Sequence, residues 1–237
     1  MKNIIERLQA KDWEKVAADM HQQGYAVIPQ VLNKQECETL AQSYTDENTY
    51  RKTISMERYR FGAGEYKYFK YPLPFLINDI RQTVYPHIAP IANRWMEVLN
   101  LEQRFPLSHE ALKKLCHDQG QVHPTVLILR YGQGGFNTLH QDLYGDIYFP
   151  MQLVLFLNEP GEDYTGGEFV LTEQIPRAQS KANVLQPRQG DMLLFTTNFR
   201  PAKGSKGYYR VNMKHGVSPL HSGRRHTLGI IFHDALS

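Results

Sequence analysis

Residues 125–174, TVLILRYGQGGFNTLHQDLYGDIYFPMQLVLFLNEPGEDYTGGEFVLTEQ, hold short β-prone runs separated by turn residues, with no helical repeat between them. TVLILRY, MQLVLFLNE and GEFVLTEQ are rich in leucine, valine and aromatic residues and are bounded by Gly, Pro, Asn and Asp, which is how strands read. Toward the C-terminus, DMLLFTT, YYRVNMKHGVS and RHTLGIIFHD continue the pattern, and Gly166-Gly167 and QPRQGD supply turns. Short strands at this spacing predict an antiparallel jelly roll or small barrel over residues 121–237. Toward the N-terminus the texture changes. DWEKVAADMHQQ places Trp13, Val16, Ala17 and Met20 at helical spacing, and NKQECETLAQSY opens with Asn33 and, three residues on, Glu36, a capping box. GYAVIPQVL between them reads as a strand, and helices are predicted in PFLINDIRQTVYPHIAPIANRWMEVLN and SHEALKKLCHD. The expectation is a single α+β domain spanning 1–237, with residues 1–120 mainly helical.

A composition of 41% hydrophobic and 22% charged residues is that of a globular protein. No apolar run approaches the roughly 20 residues of a membrane span, and the start, MKNIIERLQAKDWEK, is too charged for a secretion signal. Cys37 and Cys116 lie in no CxxC pattern, so neither a disulfide framework nor a zinc knuckle is indicated, and a cytoplasmic location is expected. Against a net charge of +3, two segments are strongly basic. Residues 51–71 carry six basic and two acidic side chains and residues 200–214 carry five basic and no acidic ones, which suggests an anionic partner.

His140 and Asp142, in NTLHQDLYGD, stand two residues apart and share a face if they lie on or beside a strand. With 10 histidines and 24 acids in 237 residues, about one such triplet arises by chance, so the pair reads as a polar turn or as half of a metal site. A mononuclear iron site takes two histidines and one carboxylate on one octahedral face. Among the later histidines, His215 alone is followed ten residues on by an arginine, Arg225, whose planar fork suits a carboxylate. Thr227 faces the same side and adds a hydroxyl.

The set His140, Asp142, His215 and Arg225 resembles the iron(II)- and 2-oxoglutarate-dependent oxygenases. The likeness extends through LRYGQGGFNTLHQD, TGGEFVL, PRQGDMLLF and HGVSPLHSGRRHTLGIIF, and QGYAVIPQVLNKQE resembles the usual N-terminal entry. The chain as a whole is similar to a bacterial family described as oxidative demethylases of damaged nucleic acid. This resemblance implies a double-stranded β-helix, with N-terminal helices packed on it, and an iron(II) ion held by His140, Asp142 and His215. It also implies 2-oxoglutarate and O2 as co-substrates, with ascorbate supportive. Arg225 would bind the far carboxylate of 2-oxoglutarate, and Tyr131 matches a tyrosine that touches 2-oxoglutarate in prolyl hydroxylases. A second phenol of that group falls near Phe156, which has no hydroxyl to offer.

For the substrate, the stretch 51–71 interleaves Arg58, Arg60, Lys67 and Lys70 with Tyr59, Phe61, Tyr66, Tyr68, Phe69 and Tyr71. Cations that hold phosphates and rings that stack on an unpaired base would make it a substrate lid over single-stranded or alkylated nucleic acid, with Arg58, Arg60, Tyr66 and Tyr68 in contact. A strand pair whose rings pack the core and whose charges face water fits the same pattern. Hydroxylation of a protein (prolyl) side chain or of a small molecule uses the same chemistry, because function lives in the site rather than the barrel.

Overall fold

A computed structural model describes residues 2–143, 145–175 and 177–237. Among the described residues five α-helices form: α1 (Ile4–Gln9), α2 (Trp13–Gln23), α3 (Lys34–Gln42), α4 (Phe75–Val98) and α5 (His109–Asp118). The Asn33–Glu36 capping box closes reciprocally at α3, and an equivalent Asn3–Glu6 box starts α1. Asp12 and Ser108 cap α2 and α5 with their side chains. Helix α1 escapes the periodicity reading because six residues present too little of an apolar stripe.

The described residues also form fifteen strands: β1 (Tyr25–Ile28), β2 (Tyr50–Ser55), β3 (Gly62–Ala63), β4 (Glu65–Phe69), β5 (Leu127–Tyr131), β6 (Phe136–His140), β7 (Met151–Phe156), β8 (Tyr164–Gly166), β9 (Phe169–Gln174), β10 (Ser180–Leu185), β11 (Met192–Thr196), β12 (Phe199–Gly204), β13 (Gly207–Val217), β14 (Leu220–Gly223) and β15 (Arg225–Ile231). The larger sheet has the order β1-β11-β7-β15-β5-β4-β2, and the smaller one β10-β9-β13-β6-β3 with β12 paired to β13. Every pairing in both sheets is antiparallel. These two sheets form the double-stranded β-helix.

Beside its helices the N-terminal part also supplies strands: β1, β2 and β4 extend the larger sheet and β3 joins the smaller one. Within 51–71, β2 and β4 pair from Tyr50↔Phe69 to Ser55↔Glu65, and β4 continues onto β5. Strand alternation then divides the interleaved side chains. Tyr66 and Tyr68 turn into the space between the sheets, whereas Lys67 is buried on the opposite side, ion-paired with Glu47 and stacked over Tyr44 at 4.7 Å. Lys67 is therefore a structural cation and does not reach toward a substrate.

Helix α4 buries Ile77, Ile80, Val84, Ile88 and Trp95 completely in the main core. Arg81, on the same helix, is buried with Asp234 at 2.8 Å, and Tyr71 and His117 also hydrogen-bond to the pair. This tie fastens α4 to the segment just after β15. Among the described residues no helix is long and apolar enough to cross a membrane.

Three further histidines are held as neutral rings, His109 and His233 buried and His226 half-buried. Burial pushes His109 down from 6.5 to about 3 and His226 and His233 down to about 4, with nearby arginines adding to the effect. The unfolded chain binds more protons than the folded one between those values, so stability is lost as pH falls from 6.5 toward 4. Each ring withdraws on the order of 3 kcal/mol once fully titrated. The expected melting temperature is nearly level above pH ~7 and falls steeply below pH ~6. A level profile down to pH ~5 in a thermal melt would contradict neutral burial of these rings.

Candidate active site

His140 is the last residue of β6, and β13 sets His215 directly opposite it, with ring centroids 4.1 Å apart. Asp142 lies just past the strand end, its Oδ1 3.5 Å from His140 Nε2 and its Oδ2 3.3 Å from His215 Nε2. One ligand atom from each of the three residues lies within 4.8 Å of the others. Gln141, between the two, turns away and binds the Asn198 and Met213 carbonyls at 2.9 and 2.8 Å, which pins the corner. His140 Nδ1 lies 2.7 Å from the Thr138 carbonyl, so the ring donates there and presents Nε2 to Asp142. Burial alone would raise the Asp142 carboxyl, but its hydrogen bonds with His215 and Gln152, with His140 alongside, hold it well below the usual range. Burial, reinforced by His140, lowers His215. The trio is thus one carboxylate and an imidazole kept neutral by burial, beside a second imidazole.

A cavity of about 250 Å³ between the sheets contains this trio. Arg225 and Thr227 alternate into it from β15, and Tyr131 enters from β5 as the register partner of Arg225. Arg225 is 1% exposed and sits 5.4 to 6.0 Å from the rings of Phe156, Tyr131 and Tyr164. None of its three guanidinium nitrogens meets hydrogen-bond geometry with a protein group, the nearby Tyr164 phenol included. Phe156 brings a ring without a hydroxyl, and Tyr164 on β8 brings a phenol from another direction.

Tyr66 and Tyr68 line the cavity with rings perpendicular at 5.4 Å. Phe61 also reaches it, and its carbonyl accepts from Thr138 of β6, which ties the 56–64 turn to the site. Arg58 and Arg60 are exposed on that turn and do not line the cavity. His221 is exposed, and His226 faces the other side of β15, against Asn158 and Tyr44. Two residues escaped the reading of the sequence. Tyr164 carried no local signal, but Gln152 did: it is the lone polar residue of the fully buried run MQLVLF.

Two observations test which groups these residues suit. Two imidazoles and a carboxylate converging from two strands are the donor set of an iron(II) site with open positions. A buried guanidinium without partners is costly and calls for an anion, and a carboxylate matches its fork. Iron(II) and a dicarboxylate co-substrate such as 2-oxoglutarate therefore both fit.

A family model described as an oxygenase catalysing oxidative methylation of damaged DNA matches residues 64–235. Two proteins of Mycobacterium tuberculosis, both described as uncharacterized, are 45% identical over 167 residues, 70% of this chain and 72% of theirs. A prolyl-4-hydroxylase from Pseudomonas putida superposes with TM-score 0.57 at 15% identity, covering 94% of this chain and all of its own. A 2-oxoglutarate–iron(II) family oxidoreductase from Burkholderia pseudomallei superposes at 0.53 with 13% identity, over 95% and 93% of the two chains. At such identities the likeness to the solved structures is one of fold.

Proposed function

The chain belongs to the oxygenase family whose model spans residues 64–235, and on that premise we propose that it is an iron(II)- and 2-oxoglutarate-dependent oxygenase that demethylates N-alkylated nucleic acid. The observation that carries the cofactor assignment is the partnerless, buried Arg225 in the same cavity as His140, Asp142 and His215. His140, Asp142 and His215 would hold the metal, Arg225 would take the far carboxylate of 2-oxoglutarate, and Thr227 and Tyr131 would flank it. Bound there, iron(II) and 2-oxoglutarate supply the O2-dependent oxidation that converts a substrate C–H to C–OH while 2-oxoglutarate leaves as succinate and carbon dioxide.

The protein's own part is placement. Arg225, buried among three rings, orients the co-substrate and excludes water from its far end. Tyr66, Tyr68 and Phe61 form a wall on which a flipped base can stack. Outside it, Tyr59 and Phe61 stack at 5.5 Å, both about half exposed, beside exposed Arg58 and Arg60, a surface suited to an unpaired strand. The family description speaks of methylation, but hydroxylation of an N-methyl group gives a product that breaks down to formaldehyde and a free N–H. Oxidation therefore runs toward demethylation.

The test is release of formaldehyde and succinate from N-methylated single-stranded oligonucleotides, with iron(II), ascorbate and 2-oxoglutarate. Equal amounts of both products are expected. Succinate without formaldehyde would remove the demethylase reading and direct the search to protein or small-molecule hydroxylation. Tyr59→Ala, an exposed substitution, is expected to weaken oligonucleotide binding about tenfold, as loss of one stacked base does. Arg58→Ala should lower the salt slope of binding by about one. Unchanged affinity and slope in fluorescence anisotropy would take the turn out of the interface.

A further inference from the structure

Strand β7 lies between β11 and β15 in the larger sheet, and all six of its residues are buried. Five are apolar and the sixth is Gln152, 4% exposed. A buried carboxamide is costly unless its hydrogen bonds are made, so its place in this strand asks for a reason. Its Nε2 donates to Asp142 Oδ2 at 2.8 Å and lies 3.2 Å from His215 Nε2. The orientation follows from chemistry, because a carboxylate oxygen can only accept and the turned-over amide would set oxygen against oxygen. The other end, Oε1, is buried without a hydrogen-bond partner, and the residue lines the cavity.

The two histidines are supported differently. His140 is tied through Nδ1 to the Thr138 carbonyl, whereas His215 Nδ1 is buried with no hydrogen-bond partner. The His215 ring is instead stacked on Phe169 at 5.9 Å and tilted against Phe195 at 4.8 Å. Aromatic packing sets the plane of that ring but does not define the position of Asp142 beside it. Gln152 touches both.

Resting on the reading of the trio as the iron site, we infer that Gln152 is a positioning residue that, through its hydrogen bond to Asp142 Oδ2, fixes the carboxylate beside the two imidazoles for metal binding. The partnerless Oε1 is then the acceptor for a proton-bearing ligand in the cavity, such as water. Partners of this kind typically change metal affinity by about 10- to 100-fold when removed.

Isothermal titration of the purified chain with Mn(II), compared among the parent, Asp142→Ala and Gln152→Met, tests this. Methionine keeps the length and volume of glutamine among apolar neighbours and removes the donor. The expected Mn(II) Kd of Gln152→Met is about 10- to 100-fold above the parent, with a cooperative metal-free melt retained. Gln152→Asn, which keeps the amide but withdraws it by one methylene, is a second variant expected to shift the same way and serves if the methionine variant does not fold. A Kd within twofold of the parent in either folded variant overturns the inference. A parent that binds no Mn(II), or an Asp142→Ala variant that binds it as well as the parent, overturns the metal-site reading itself.

Discussion

Replacing Asp142 by alanine is expected to cut iron-dependent succinate formation by at least about a thousandfold, ~4 kcal/mol of lost stabilisation. Asp142 supplies the one carboxylate oxygen in the cluster that converges on the two imidazoles. Without it, two imidazoles would have to hold a dication in a buried cavity with no negative charge in the trio. The fold should tolerate the change at a cost of about 1–3 kcal/mol, because the substitution leaves the Gln152 amide without its acceptor. Activity and Mn(II) binding are thus expected to vanish while a cooperative thermal transition remains. Iron-dependent turnover surviving in the alanine variant would remove Asp142 from the metal site.

Arg225→Leu is expected to separate stability from function in the opposite sense. The guanidinium nitrogens are buried without meeting hydrogen-bond geometry and lie among three aromatic rings, so an apolar side chain of similar bulk relieves a poorly compensated buried charge. The co-substrate-free variant should melt higher than the parent, by about 1–4 kcal/mol if the site behaves like other buried charges replaced by apolar groups. The parent should be stabilised by 2-oxoglutarate through linkage, and the variant should not respond. Arg225→Lys keeps the charge but loses the fork, and its KM for 2-oxoglutarate should rise about a hundredfold, the loss of one to two charge-assisted hydrogen bonds. Thermal melts with and without 2-oxoglutarate read both effects. A leucine variant that still gains stability from the co-substrate would place its carboxylate elsewhere.

The parts legible in the sequence are those whose physics is local. The Asn33 capping box needs three residues of context, and it closes as written. Strands β5, β7, β9, β11 and β15 lie inside the runs that announce them, and β13 starts one residue before its own. Strands β10 and β12 do not, because Ser180–Leu185 is half polar and Phe199–Gly204 is broken by an arginine, a proline and a lysine; both are held by partners in the sheet. In 51–71 composition could not say which face each side chain takes, and the register of β4 sends Tyr66 and Tyr68 inward and Lys67 outward.

The sequence by itself determined the chemical inventory: a histidine and an aspartate two apart, a distal histidine, an arginine ten further on, and strands to carry them. It did so because side-chain identity and a two-residue period are properties of a short segment. Only the tertiary structure decided that β6 and β13 set His140 and His215 opposite one another, that Arg225 is buried without a partner, and that Gln152 lies against Asp142. Those are long-range facts, set by strand register and by which groups lose water together, and no segment read alone contains them.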